Sequence, residues 1–210
     1  MRHRTAVALV ALLLLFALAA APAAASPQGG KKSYDGAWWL SLANWEQSGF
    51  LNGYMDCHAF EYRGSVAFTK PAQAYIDALD AFYEQNADNK KVSVPEVLDR
   101  IRGAANETGA PPPPAGAAGP APHGAYDGKF WFDAETPQVQ LGFVEGYLAC
   151  HAAKIKDADG HFSKSAEDYV PLINDAYGIT DDTEDVDPEK GAQKIADVLH
   201  RLRDEAVASK

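Results

Sequence analysis

The chain is poor in cysteine and methionine, with two of each, and it contains no run of basic residues. Two cysteines cannot build the dense bridge framework of small secreted domains, nor a four-cysteine zinc site. With 29 acidic against 19 basic side chains and a formal charge of -10, the chain lacks the electrostatic footprint of a nucleic-acid binder. Beyond the N-terminus no stretch is long and apolar enough to cross a bilayer. No G-x-S-x-G, H-E-x-x-H or phosphate-binding glycine loop occurs. Sustained period-two alternation is also missing, which predicts little or no sheet. The fold class expected is all-α.

The N-terminus reads as an export signal. Arg2, His3 and Arg4 precede an apolar run from Ala6 to Ala21, and Ala23-Ala24-Ala25 offers a small-residue cleavage site. Pro22 and the Ala-x-Ala pattern favour cleavage over retention as an anchor. Removing 1–25 takes away two of the 19 basic side chains and none of the 29 acidic ones, moving the formal charge from -10 to -12. The expected mature protein is periplasmic or extracellular, with no membrane insertion after cleavage and no affinity for polyanions.

What is present is a repetition. Gly49-Phe50-Leu51-Asn52-Gly53-Tyr54-Met55-Asp56-Cys57-His58 returns 93 residues later as Gly142-Phe143-Val144-Glu145-Gly146-Tyr147-Leu148-Ala149-Cys150-His151. Tyr34-Asp35-Gly36-Ala37-Trp38-Trp39 matches Tyr126-Asp127-Gly128-Lys129-Phe130-Trp131, Tyr75 and Tyr83 match Tyr169 and Tyr177, and Val97-Leu98-Asp99-Arg100-Ile101-Arg102 matches Val198-Leu199-His200-Arg201-Leu202-Arg203. The offset grows along the chain, as it does when loops absorb insertions. This predicts a tandem duplication: a first repeat over 34–108, a Pro/Gly/Ala-rich linker over 109–124, and a second repeat over 126–208. The linker, with its Pro111-Pro112-Pro113-Pro114 run, is an extended spacer that lets the repeats pack together or stand apart.

Each repeat is expected to be a three-helix module. Helical spacings run from about Ser41 to Tyr62, from Pro71 to Gln85 and from Pro95 to Ala105. In the second repeat the acidic residues and early proline of Asp133 to Pro137 suit the start of a helix reaching about Ile155, a Ser165 cap opens the next, and the last runs from Asp187-Pro188-Glu189 to about Ala206. Trp39 and Trp131 are expected to be core anchors, with Trp38, Phe130 and Trp45 as possible surface contacts. The acidic stretch 181–187 reads as a solvated loop, or else as a contact for a cationic partner or a weak calcium site. Asp157-Ala158-Asp159-Gly160 is not a calcium loop, since Ile155 and Ala166 would occupy its terminal ligand positions. Asn106-Glu107-Thr108 matches a glycosylation acceptor, a pattern of low specificity.

The candidate site residues lie in the repeated decapeptide: Gly49, Gly53, Tyr54, Cys57 and His58, with Gly142, Gly146, Tyr147, Cys150 and His151. Gly49, Gly53 and Cys57 fall at i, i+4 and i+8, as do Gly142, Gly146 and Cys150, giving one ridge of small side chains per helix. Interior glycine costs about 1 kcal/mol relative to alanine, so the ridges imply close approach of another backbone. The partner is a helix of the same repeat in the simplest reading, or the twin helix, or a bound molecule. The cysteines have three readings. One is a Cys57–Cys150 bridge between repeats, which would require the helices to cross near their cysteines rather than at the glycines. The second is two buried thiols. The third is a metal cluster with His58 and His151, disfavoured because adjacent helical residues point about 100° apart. The expectation is no metal and no cofactor. Asp56 and Glu61 lie near His58, but Ala149 and Lys154 stand at the matching positions, so an acid–base pair there would exist in one repeat only.

The order Gly146-Tyr147, Tyr169, Tyr177, Val198-Leu199 in a small exported helical unit resembles the periplasmic immunity proteins that neutralise type VI secretion amidases (Tai type). That resemblance implies a helical, non-enzymatic protein that plugs a toxin's active site. The tandem copy and the Cys-His ending depart from the family pattern, and no toxin-contacting residue carries over. The function expected is an exported non-enzymatic protein that binds another protein or an envelope component. The alternatives are a small-ligand or metal-binding protein using the duplicated Cys-His and Tyr positions, or an enzyme with an unrecognised site.

Overall fold

Two 18-residue helices dominate the computed structural model, α2 (Asn44–Glu61) and α6 (Pro137–Lys154), and each is buried nearly all round. The structure describes residues 32–61, 68–107, 126–134, 136–155 and 161–208, with only the backbone for 103–107. The predicted signal, the linker, the 157–160 segment and Thr108 of the glycosylation triplet lie outside them. The described residues are all-α, with no strand among them.

The other elements are α1 (Gly36–Trp39), α3 (Ala72–Glu84), a short 3-10 turn (Asn89–Lys91), α4 (Val94–Glu107), α5 (Gly128–Phe132), α7 (Ala166–Tyr177), α8 (Pro188–Gly191) and α9 (Ile195–Ala208). Ser165 caps α7 in a reciprocal capping box with Asp168, and Gly178 ends it at φ 73°, a left-handed conformation that glycine adopts without strain. The acidic stretch is exposed around a buried Val186, as the solvated-loop reading expects.

Two details differ from the sequence expectation. The Tyr-Asp-Gly segments are short helices in their own right. Asp35 and Asp127 cap them by accepting hydrogen bonds from Trp38 N and Phe130 N at 3.0 Å each. The last helix does not run unbroken from Pro188. It stops at Gly191 and restarts at Ile195, because the backbone between is committed elsewhere. Gln193 O accepts hydrogen bonds from Gly128 N (3.1 Å) and the Tyr177 hydroxyl (3.0 Å). The first half has the same clasp, with the Tyr83 hydroxyl donating to Val92 O at 3.2 Å and Val94 N to Tyr34 O at 2.7 Å.

Trp39 and Trp131 are fully buried, as expected. Their indole N–H groups donate to Asp80 and Asn174 at 2.7 Å each, which satisfies the polar edge of a buried ring. Trp38 and Phe130 pack against the core; Trp45 alone of the three expected surface contacts is exposed, at 40%. The outer helices interlock: α3 packs on α2 and α7 on α6, while α9 also lies against α2 and α4 against α6.

Candidate functional site

The glycine ridges answer to each other. A Cβ built on Gly53 would lie 1.8 Å from Phe143 O, and one on Gly146 would lie 1.9 Å from Phe50 O. Gly49 and Gly142 face Val139 O and Glu46 O at 2.5 and 2.8 Å in the same sense. Each contact of the first helix is matched by the reciprocal contact of the second, the relation a twofold axis generates. The partner of the ridge is thus the twin helix, not a helix of the same repeat. Two α-carbon chains this close leave no room for any side chain larger than hydrogen, which is why the cost of helical glycine is borne.

Cys57 and Cys150 are joined by a disulfide, with Cα atoms 6.2 Å apart. The expectation that a bridge would exclude close approach at the glycines was wrong. The helices stay in contact from Gly49 to Cys57 and meet at both places. The bridge also consumes both thiolates, so the Cys57-His58-Cys150-His151 metal cluster has lost half its donors. The two histidines, one residue beyond the sulfurs, point into different corners.

In the first corner, His58 is buried and its Nε2 lies 2.5 Å from Arg102 Nη1. Arginine can only donate, so Nε2 accepts. Phe68 packs edge-on against His58 at 5.2 Å, and the Arg102 guanidinium sits 5.8 Å over the same ring. Asp99 joins Arg102 at 3.0 Å and also Lys154, from the end of α6, at 2.9 Å.

The second corner has the same frame and different chemistry. Phe162 takes the place of Phe68, 4.7 Å from His151, with Arg203 5.6 Å over its ring. Lys154 is replaced by Glu61, at the end of α2, and Asp99 by His200 on α9. Glu61 Oε1 accepts from His151 Nδ1 at 2.5 Å and lies 3.4 Å from His200 Nε2. His200 Nε2 is also 3.0 Å from the Tyr147 hydroxyl. The chain Tyr147–His200–Glu61–His151 is therefore a continuous polar network, with His151 1% exposed and Glu61 11% exposed at the side chain.

Burial pushes the Glu61 carboxyl upward, but the hydrogen bonds from His151 and His200 outweigh it and hold the group down at about 2. Its second oxygen, Oε2, is buried without a hydrogen-bond partner. The Tyr147 hydroxyl is pushed well above its ordinary range by burial and by Glu61. One turn back on α2, Asp56 shows the opposite outcome. Burial and Asp197 raise its carboxyl to about 7, only partly opposed by Lys194, and its Oδ2 has no partner.

The small-ligand alternative set Tyr54, His58, Tyr147 and His151 around one pocket; all four are buried, but His58 and His151 lie in separate corners. Sequence reasoning did not bring His200 into the site, and it set Glu61 beside His58 when the residue in fact reaches His151. No family model, curated protein or solved structure matches the chain, so the reading of these corners rests on their own geometry.

Proposed function

We propose that this is an exported, non-enzymatic binding protein, built by tandem duplication, that docks on another protein or an envelope component through its outer helix faces. One observation carries the reading: all four glycines and both cysteines of the repeated decapeptide are used in fastening α2 to α6. The most distinctive residues of the sequence are scaffold, and recognition falls to what surrounds them. A body pre-organised by a covalent bridge loses little conformational freedom on binding. The bridge also supports residence in an oxidising compartment, periplasm or medium, reached through the 1–25 signal.

The outer surface offers an exposed Trp45 beside Glu46 and a strong excess of acidic side chains. An exposed aromatic ring on a chain of net negative charge suits a cationic protein partner. Inhibition of a secreted toxin, as in the immunity proteins that the chain resembles, is one form such binding takes.

The test is affinity recovery of the mature chain from the envelope and medium of producing cells, followed by reconstitution with the purified partner. The expected result is a stoichiometric complex that weakens at raised salt and on Trp45→Ala. A chain that elutes alone from every fraction overturns the reading. A turnover activity on envelope extract that disappears in folded His58→Ala would replace it with an enzyme.

A further inference from the structure

We infer that the corner formed by Glu61, His151 and His200 is a binding site for one divalent transition-metal ion of the zinc type. The three residues come from three helices of both halves of the chain, α2, α6 and α9, and their ligand atoms all lie within 4.8 Å of one another. Two imidazoles and one carboxylate form a donor set suited to zinc, copper or nickel rather than calcium or magnesium, which take oxygen donors. His2Glu is also a set that leaves coordination positions open to solvent. Here the open side is that of His200, 20% exposed at the side chain.

The geometry of the carboxyl group points the same way. Glu61 is largely buried, with His151 against one oxygen and the other oxygen without a hydrogen-bond partner. A buried anion of this kind is satisfied in full by a cation placed where the imidazole protons now sit. A metal ion at His151 Nδ1 and His200 Nε2 would require both rings in the tautomer that carries its proton on the other nitrogen, with His151 and His200 giving up their contacts to Glu61 and Tyr147. Oε2 becomes available as a further donor. Because only neutral imidazole binds a metal, affinity should fall as the solution is acidified.

The molecule contains its own control. At the first corner the position of Glu61 is held by Lys154 and that of His200 by Asp99, and these two already form an ion pair at 2.9 Å. An ammonium group stands where the second corner has a carboxylate. The site is thus expected once per chain, although the frame around it occurs twice.

The experiment is calorimetric titration of the oxidised, full mature chain with zinc chloride in a non-chelating buffer. With the bridge closed, no thiolate competes for the ion. The expected result is one equivalent bound, with affinity lost on acidification. Glu61→Gln and His200→Gln should each weaken it by roughly tenfold or more, while Asp99→Asn leaves it unchanged. Paramagnetic Co2+ should broaden the ring resonances of His151 and His200 in the wild-type chain before those of His161, which carries the test should either variant fail to fold. Absence of a bound equivalent, wild-type affinity in both folded variants, or broadening that starts at His161 overturns the site.

Discussion

The two corners on either side of the disulfide share a frame and differ in charge. Each has a buried histidine next to a bridged cysteine, a phenylalanine packed edge-on against it and an arginine over that ring. In one, Lys154 and Asp99 close on each other as an ordinary ion pair. In the other, Glu61 gathers two imidazoles and keeps one oxygen unpaired. The two corners differ at two positions, Lys154 against Glu61 and Asp99 against His200, within the same packing. The scaffold is therefore separable from the chemistry, and substitutions can address one without the other.

The largest effect should come from the feature both corners share. Replacing both cysteines, Cys57→Ala with Cys150→Ala, opens a bridge spanning 93 residues of sequence. It should cost about 4–5 kcal/mol on the chain-entropy account, read as a shift in guanidinium midpoint. A loss below about 1 kcal/mol would show that the helix seam holds without the bridge.

The seam itself comes next. Gly53→Ala and Gly146→Ala place a methyl against a backbone oxygen and should each lose about 3 kcal/mol. Gly142→Ala, where the gap is 2.8 Å, should lose less. Markedly unequal losses at 53 and 146 would break the reciprocity of the two helices.

A third effect separates two acids on one helix. Glu61 is held at about 2 against an ordinary 4.5, so its stabilisation is present above 4.5 and vanishes as pH falls through about 2. Glu61→Gln should cost about 2 kcal/mol at neutral pH and remove this part of the acid transition. Asp56, raised from 3.8 to about 7, has the opposite sign. The folded state holds its proton more tightly, so stability falls as pH rises from 3.8 to about 7. Asp56→Ala, which copies Ala149, should therefore raise stability at pH 8 by about 1–2 kcal/mol and flatten that slope. Urea melts at stepped pH read both, and parallel slopes for the two variants would contradict the contrast. The smallest effect is expected at Lys154→Ala, a partly exposed pair worth about 0.5–1 kcal/mol.

Much of the fold was legible because its signals are local. Helical spacing, the Ser165 cap and the early Pro137 follow from backbone chemistry within a few residues. The close approach at Gly53 and Gly146 was legible as a need, but its partner was not, since a small-residue ridge fits any second ridge. The break between Gly191 and Ile195 was hidden because its cause is a carbonyl captured from 16 residues away, by Tyr177. The second corner was missed for a different reason. Comparing the repeats position by position set Glu61 against Lys154 and His200 against Asp99 as separate mismatches. They are one event seen twice, since each residue meets the other's counterpart across the seam. Paired changes of charge between repeats are a signal of contact, and they stand in the sequence unaided.

The reciprocal seam also bears on the timing of synthesis. When Cys57 and its glycine ridge emerge, the helix that will cover them is still 93 residues from being made, an interval of roughly 5–20 s at ordinary elongation rates. During that interval the α6 surface that covers the ridge is absent, and a copy of the ridge on a neighbouring chain presents the same small-residue spacing. Because the contacts are self-matching, a chain crowded among its siblings can close the same lock between two molecules. The bridge that fastens the two helices within one chain is also the bond that would make such an exchange permanent.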